Sequence, residues 1–399
     1  MSERVILAFS GGLDTSFCAV WLKENGYDVI TVYVNTAGLS AKKCNEIERK
    51  AYELGVAKHY TMEAEDDFFD KVISYLIKTE GLYQGIYPQL CSDRYIIVEK
   101  CIEVAKKEGT NIISHGCTAM GNDQVRFDLS IKANGDYKII APIREIQDKV
   151  CGKIRLYEQD YLEKRGFKIE KKHSKYSINS NILGTTISGS EIDECEEPSK
   201  DAFFMTKENK HKAPISLNID FDKGVPVAIN GKKMKGAAIL KLLNEVAGSY
   251  GVGRFIYTGD CIIGIKGRIV FECPGLHTLL VAHKALEEAV LTSHQNQFKM
   301  IASQKWAHLV FSGLYYEPLR RDIELLIDEM QRSVVGSVRV KISAGGVLPV
   351  AYKTDFALRD ATALYAQSAS WHASDAEGFI KLFGMSTLLS TKRKSSSHE

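Results

Sequence analysis

Two stretches of the chain concentrate residue types that can do chemistry. The first is Ser10-Gly11-Gly12-Leu13-Asp14-Thr15-Ser16, directly after an apolar run at 5–9. Glycines there let the backbone turn tightly and approach a ligand with no Cβ in the way. Free amides at the start of a following helix attract an anion, aided by the positive end of the dipole. Ser10, Thr15 and Ser16 add hydroxyl donors. Neither the Gly-Lys-Ser/Thr of a Walker A loop nor G-x-G-x-x-G is present. A cradle without that lysine suits holding pyrophosphate while the α-phosphorus reacts. The second stretch, residues 114–127, reads Ser-His-Gly-Cys-Thr-Ala-Met-Gly-Asn-Asp-Gln-Val-Arg-Phe. Arg126 has the planar fork that clamps a carboxylate, Asp123 suits an ammonium group, and Thr118 and Asn122 can fix orientation. As residues alone, the first also fits a capped strand-to-helix turn, and the second a polar loop with a surface arginine.

Such loops need rigid elements to aim them. The run at 5–9 is the pattern of a strand buried on both faces. A helix over 14–24 follows, closed by Gly26, then a strand at 29–34, a polar helix near 42–54, a strand near 58–62 and a helix near 67–78. A further helix over 94–107 precedes strands at 111–114 and 138–141, the last stopped by Pro142. This alternation predicts an α/β fold with a doubly wound parallel sheet, whose ligands bind at the carboxyl ends of the strands near the switch in strand order. Residues 168–212 read as a loop-rich connection, with a Ser/Asn/Thr-rich middle at 176–189. Beyond it the pattern is α+β: hairpins over 214–230, 261–271 and 335–352, and helices over 236–247, 278–293 and 316–334. A helix-like piece near 360–366 precedes a basic tail, Lys392-Arg393-Lys394, expected to be disordered. The expected domains are 1–167, 168–358 and a C-terminal segment at 359–399.

The chain has 399 residues, 45% hydrophobic and 26% charged, with 52 Lys+Arg against 50 Asp+Glu. That balance makes no electrostatic case for nucleic acid, and no apolar stretch is long enough to span a membrane. The nine cysteines are an odd number without a Cys-x-x-Cys pair. They read as free thiols in a reducing compartment, so a cytoplasmic location is expected, with no leader segment. His277, His283 and His294 lack ligand spacing, so no metal site is expected from the protein's own side chains. Cys117 has no partner base in the sequence and reads as a packing residue. Lys171-Lys172-His173 reads as a solvated cluster.

Ser-Gly-Gly-Leu-Asp-Thr-Ser resembles the signature of the pyrophosphate-loop ATPases. The flanking residues 8–16, 20–24 and 26–30, together with 114–127, resemble the argininosuccinate synthase family. Further likeness runs through 243–248, 251–254, 282–287 and 374–384, nearly the whole chain. The resemblance implies a nucleotide-binding domain, an α+β synthetase domain and a C-terminal oligomerisation segment in a homotetramer. It implies an ATP-dependent ligase that joins citrulline and aspartate, releases AMP and pyrophosphate, and requires Mg²⁺. ATP would lie on Ala8, Phe9, Ser10, Gly11, Gly12, Leu13, Asp14, Thr15, Ser16, Val34 and Gly116. Aspartate would bind Thr118, Asn122 and Asp123; citrulline would bind Tyr87, Ser92, Asn122, Arg126, Ser177 and Thr186. Asp14, Asp123 and Arg126 would carry catalysis.

The chain also departs from the pattern. Ala37-Gly38 stand for Gly-Gln, Met120 for Lys, Gly259 for a citrulline-contacting Glu, and Phe271 for Tyr. Thr186 replaces Ser, while Asn179 and Ser188 replace acidic residues. Asp260 can substitute near Gly259. These changes gather on the citrulline side, which leaves open a ligase for another ureido or amide acceptor, or a silent nucleotide-binding homologue.

Overall fold

Strand β1 (Arg4–Ala8) is the central strand of the first sheet, and Val5 to Ala8 are all buried. The structure is a computed structural model that describes residues 2–150, 153–167, 175–207, 213–363, 365 and 369–395. On one side of β1 lie β2 (Asp28–Asn35) and β3 (Lys58–Glu63); on the other lie β4 (Ile112–Ser114) and β5 (Lys138–Ile140). All pairings are parallel and the order is β3-β2-β1-β4-β5. The order reverses between β1 and β4, so the loops after these two strands border one crevice. One face of the sheet packs Val5, Leu7, Phe17, Leu22, Ile143 and Leu162. The other face joins a larger core that includes Ile6, Val32, Tyr95 and Trp306. The doubly wound parallel sheet is therefore present, with both faces covered.

The later strands are β6 (Ser177–Asn181), β7 (Gly184–Ser188), β8 (Ile215–Asp222), β9 (Val225–Ile229), β10 (Lys232–Lys233), β11 (Arg254–Asp260), β12 (Lys266–Glu272), β13 (Gly336–Ser343) and β14 (Gly346–Lys353). They form two sheets, β11-β12-β7-β6 and β10-β9-β8-β13-β14. Every pairing in both is antiparallel. Helices Gly236–Gly248, Pro274–Val290, Ser293–Phe311 and Pro318–Gln331 complete this half. Contacts divide the chain into Met1–Phe356 and Ala357–Glu399. The second unit carries helices Ala373–Phe383 and Met385–Ser395, with Phe379, Ile380, Leu382 and Phe383 exposed. Among the described residues no helix is long and apolar enough to cross a membrane.

Several local expectations are corrected. Residues 176–189, expected as loop, form the hairpin β6–β7. Their polar side chains hide the strand pattern, and pairing of β7 with β12 supplies what alternation does not. The hairpin turn is anchored by Asn181, whose Nδ2 donates to the Leu90 carbonyl at 2.7 Å. The hairpin expected at 261–271 is β11–β12, which starts at Arg254 and turns at 261–265. Pro142 begins helix Pro142–Gln147 as well as ending β5, because proline suits a first helical turn. Helix Ser293–Phe311 went unread, although Thr292 and Gln295 form a capping box at its start. No helix covers the described residues of 360–366. Lys392–Lys394, expected in a disordered tail, fall in helix Met385–Ser395. The Lys171-Lys172-His173 cluster and Cys151 lie outside the described residues.

Candidate active site

The chain leaves β1 through Ala8 and Phe9, both buried, and turns at Gly11 with φ +76°. That left-handed conformation costs glycine little. Gly12 caps helix Leu13–Glu24 in an extended conformation, leaving the first amides of the helix without intrahelical partners. The loop braces itself. The Ser10 and Thr15 hydroxyls meet at 3.2 Å, the Gly12 amide donates to Ser10 Oγ at 3.3 Å, and Ser16 Oγ donates to the Gly12 carbonyl at 2.7 Å. Lys50, which the sequence reading missed, donates to the Gly11 carbonyl at 2.5 Å. Val34 lies on β2, two residues beyond Val32, the partner of Ala8. That places it at the carboxyl end of the sheet with the loop.

The second loop comes to meet the first. A Cβ at Gly116 would stand 3.3 Å from the Thr15 methyl and 3.5 Å from the Asp14 backbone. A side chain at 116 would press on the Thr15 methyl, so glycine eases the approach of the two loops. His115 Nδ1 accepts the Cys117 amide at 3.2 Å, so its Nε2 donates to Asp128 at 2.8 Å, and Arg144 also donates to Asp128 at 3.0 Å. This triad fixes the root of the loop. Burial pushes the Cys117 thiol up, which leaves it a poor nucleophile.

Asp123 opens helix Asp123–Ala133, so its carboxylate also faces the favourable end of a helix dipole. Arg126 Nη1 donates to its Oδ1 at 2.8 Å, and Arg94 Nε donates to its Oδ2 at 3.1 Å. Burial works against the charge, but Arg94 and Arg126 outweigh it and hold the carboxyl below its usual range. Arg126 is 3% exposed, and its Nε and Nη2 donate to the Phe311 carbonyl at 3.2 and 2.9 Å. The sequence suggests a free fork for a ligand; the structure shows one already engaged with Asp123 and the backbone. Arg94 also donates to Asp93 at 2.8 Å and to Asn179 at 3.3 Å, and Asp93 accepts from Thr36 at 3.1 Å. Arg94 and Asp93 were missed because their chemistry appears only when β6 and the loop after β2 arrive beside them.

The remaining candidates surround this cluster. Asn122 accepts the Ile262 amide at 2.9 Å, so the β11–β12 turn is tied to the second loop. Thr118 Oγ1 accepts the Met120 amide at 3.4 Å. Tyr87 is 3% exposed, with its ring edge-on to Phe271 and Phe311 and its hydroxyl donating to Cys91 Sγ at 3.5 Å. Ser92 is buried and its Oγ meets no partner. Thr186 pairs with Phe271 and with Asn179 across neighbouring strands, so the three share one face of the sheet; Ser177, two residues before Asn179, is on that face too.

At Gly259 a Cβ would run into the Tyr257 hydroxyl and the Gln84 carboxamide. Gln84 accepts from Tyr257 at 2.8 Å and donates to Asp260 at 2.5 Å. Lys266 pairs with Asp260 as well. The side chains of Gln84 and Asp260 thus meet where the resemblance expects a glutamate at 259. Elsewhere Glu80, His283 and Glu287 converge closely enough to suggest a metal group, but Lys299 Nζ lies 2.6 Å from Glu287 and 3.4 Å from Glu80. The ammonium already supplies the cation.

A parallel doubly wound sheet with a glycine loop at its switch point, facing a second loop rich in charge, defines a class of anion-cradling α/β proteins with an appended α+β half. The chain belongs to the argininosuccinate synthase family. The family described as Arginosuccinate synthase N-terminal HUP domain matches residues 4–165, and Arginosuccinate synthase C-terminal domain matches 176–390. The argininosuccinate synthase of Xylella fastidiosa is 49% identical over 390 residues, covering 97% of each chain. That of Hyperthermus butylicus is 40% identical over 400 residues, covering 98% of this chain and 99% of its own. That of Pyrococcus furiosus is 42% identical over 393 residues, covering 97% of this chain and 94% of its own.

Proposed function

We propose that the chain condenses citrulline with aspartate at the expense of ATP, giving argininosuccinate, AMP and pyrophosphate. The observation that carries this reading is the seating of Gly116 on Asp14 and Thr15, which puts the anion cradle and the charged loop on one crevice. A ureido oxygen is a poor leaving group. Its attack on the α-phosphorus forms an acceptor adenylate, and the bond to pyrophosphate breaks. The aspartate amine then attacks the activated carbon, loses a proton, and AMP departs. The protein's part is positioning and charge stabilisation.

The amides and hydroxyls of residues 10–16 receive the departing pyrophosphate. Asp123, held ionised by Arg94 and Arg126, receives the ammonium of aspartate, with Thr118 and Asn122 beside it. The acceptor lies between Tyr87, Ser92, Thr186 and the Asn179 face, and Ser177 lines its outer end. Arg126 acts on it from behind Asp123. Mg²⁺ would add charge neutralisation at the phosphates. The first loop offers it hydroxyl and carbonyl oxygens, a hard donor set that fits a cation retaining phosphate and water ligands. The apolar faces of helices Ala373–Phe383 and Met385–Ser395 suit burial against other copies in a homotetramer, and the working location is the cytoplasm.

The test is pyrophosphate release with ATP, Mg²⁺, aspartate and citrulline. Turnover dependent on both amino acids supports the reading; its absence removes it. The replacement of an acidic side chain at 259 by the Gln84–Asp260 pair favours a second reading, a ligase for a related ureido or amide acceptor. A panel of such acceptors separates the two by kcat/KM.

A further inference from the structure

Helix Ile154–Glu163 packs behind the first loop against helix Leu13–Glu24, with the Phe17 ring edge-on to Tyr157 and Tyr161 at 6.0 and 4.9 Å. Its inward stripe is Ile154, Glu158, Tyr161 and Leu162, at helical spacing. Three of these suit an apolar contact, and one is a carboxylic acid. Glu158 is 0% exposed, and neither of its carboxyl oxygens meets a hydrogen-bond donor. A buried carboxylate with no donor is too costly to persist. The polar group facing it is the Asp14 carboxylate, itself an acceptor. Two acceptors make a hydrogen bond only by sharing a proton. Cys18 faces Glu158 from the same helix as Asp14, and Arg155 approaches it from its own helix.

We propose that Glu158 is a positioning residue of the phosphate loop: its carboxyl keeps a proton and donates it to Asp14, fixing the first turn of helix Leu13–Glu24. The inference deepens the reading that residues 10–16 hold the phosphates of ATP, and rests on it. Burial, followed by the charge of Asp14, pushes the Glu158 carboxyl up to about 9, so the proton is held at neutral pH. Asp14 lies in the first turn of the helix, between Gly12 and Ser16 of the cradle, so holding its side chain holds that turn. Ionisation of Glu158 would place two like charges behind the cradle and turn Asp14 away. The cradle binds anions, so added negative charge there also repels the ligand.

Two measurements decide it. Infrared difference spectra of the ligand-free protein at neutral pH should contain the carbonyl stretch of a buried, protonated acid that Glu158→Gln removes. Calorimetric ATP titration should show Glu158→Gln binding within about threefold of the parent near pH 7.5, since the amide donates the same hydrogen bond. Between about pH 8 and pH 10 the parent should lose roughly tenfold in affinity and the Gln variant should not. Glu158→Leu, with matched circular dichroism, should bind ATP about tenfold more weakly at every pH. Absence of the infrared band, or parallel loss of affinity in the parent and the Gln variant, overturns the proposal. A parent that binds no ATP yet shows the band overturns the reading of the loop and leaves the proton contact standing.

Discussion

The loop after β1 is braced mainly from within its own span, whereas the loop after β4 adds several distant partners to its local bonds. Ser10, Gly12, Thr15 and Ser16 brace one another, with Lys50 as a neighbour from the next helix. Around Asp123 the partners come from Arg94, Asn179, Ile262 and Phe311, separated by tens to hundreds of residues. The first is built from local conformation and suits a ligand that is the same in every reaction of its kind, a phosphate chain. The second is built from tertiary structure, and it can be altered by changes in any of the elements that meet there. Of the departures that the resemblance implies, Asn179, Gly259 and Phe271 fall on that second side.

The sharpest way to break this contrast is Asp123→Ala. It leaves Arg94 and Arg126 facing each other in a part-buried site, and removing one partner of such a pair costs up to about 3 kcal/mol. Product formation should fall by 10³-fold or more, while ATP affinity stays within a few fold. Unchanged turnover, or equal loss of ATP binding, would show that the two loops are not separable. Steady-state assay, ATP titration and a denaturant midpoint cover all three.

The two sides should also respond oppositely to pH. Asp123 has its pKa depressed, so its contribution to stability is present above the unfolded carboxyl pKa and is lost as pH falls. Glu158 has its pKa raised, so stability is fully present below its ordinary value of 4.5 and is lost as pH rises toward about 9. Glu158→Gln should therefore flatten the alkaline limb. It should raise unfolding free energy near pH 7.5 by up to about 4 kcal/mol, at roughly 1.4 kcal/mol per pKa unit. Urea melts from about pH 5 to pH 9 test the sign; an unchanged slope contradicts it.

Smaller changes sharpen the acceptor side. Gln84→Ala removes the hydrogen bonds to Tyr257 and Asp260. At about 1 kcal/mol each, the acceptor KM should rise about thirtyfold while the ATP KM is untouched. On the phosphate side, Ser10→Ala removes one hydroxyl brace and should weaken ATP binding by only about threefold to tenfold. Equal effects on both KM values in either variant would erase the distinction.

The same contrast explains what the sequence reveals. Residues 5–16 show a buried strand, a glycine turn and a helix start within twelve positions, and each is a local preference of the backbone. The switch-point crevice follows from strand alternation. Arg94 and Gln84 look like ordinary surface residues until β6 and β11 reach them. Arg126 reads as a ligand clamp because no sequence pattern announces the Phe311 carbonyl, which ends a helix with weak amphipathic signal. Glu158 is hidden for a related reason: its helix was not legible, so an acid in an apolar stripe could not be noticed. Ser177 and Thr186 were singled out by likeness alone, since polar strands carry little periodicity of their own.

The contact at Gly116 has a consequence for what the crevice can admit. The Thr15 methyl and Asp14 fix the separation of the two crests from below, and a shared sheet fixes it from above. Widening the crevice by sliding one crest away would shear the ladder between β1 and β4. The width of the crevice is thus set mainly by the backbone, and the Thr15 methyl is the side chain whose loss would ease it.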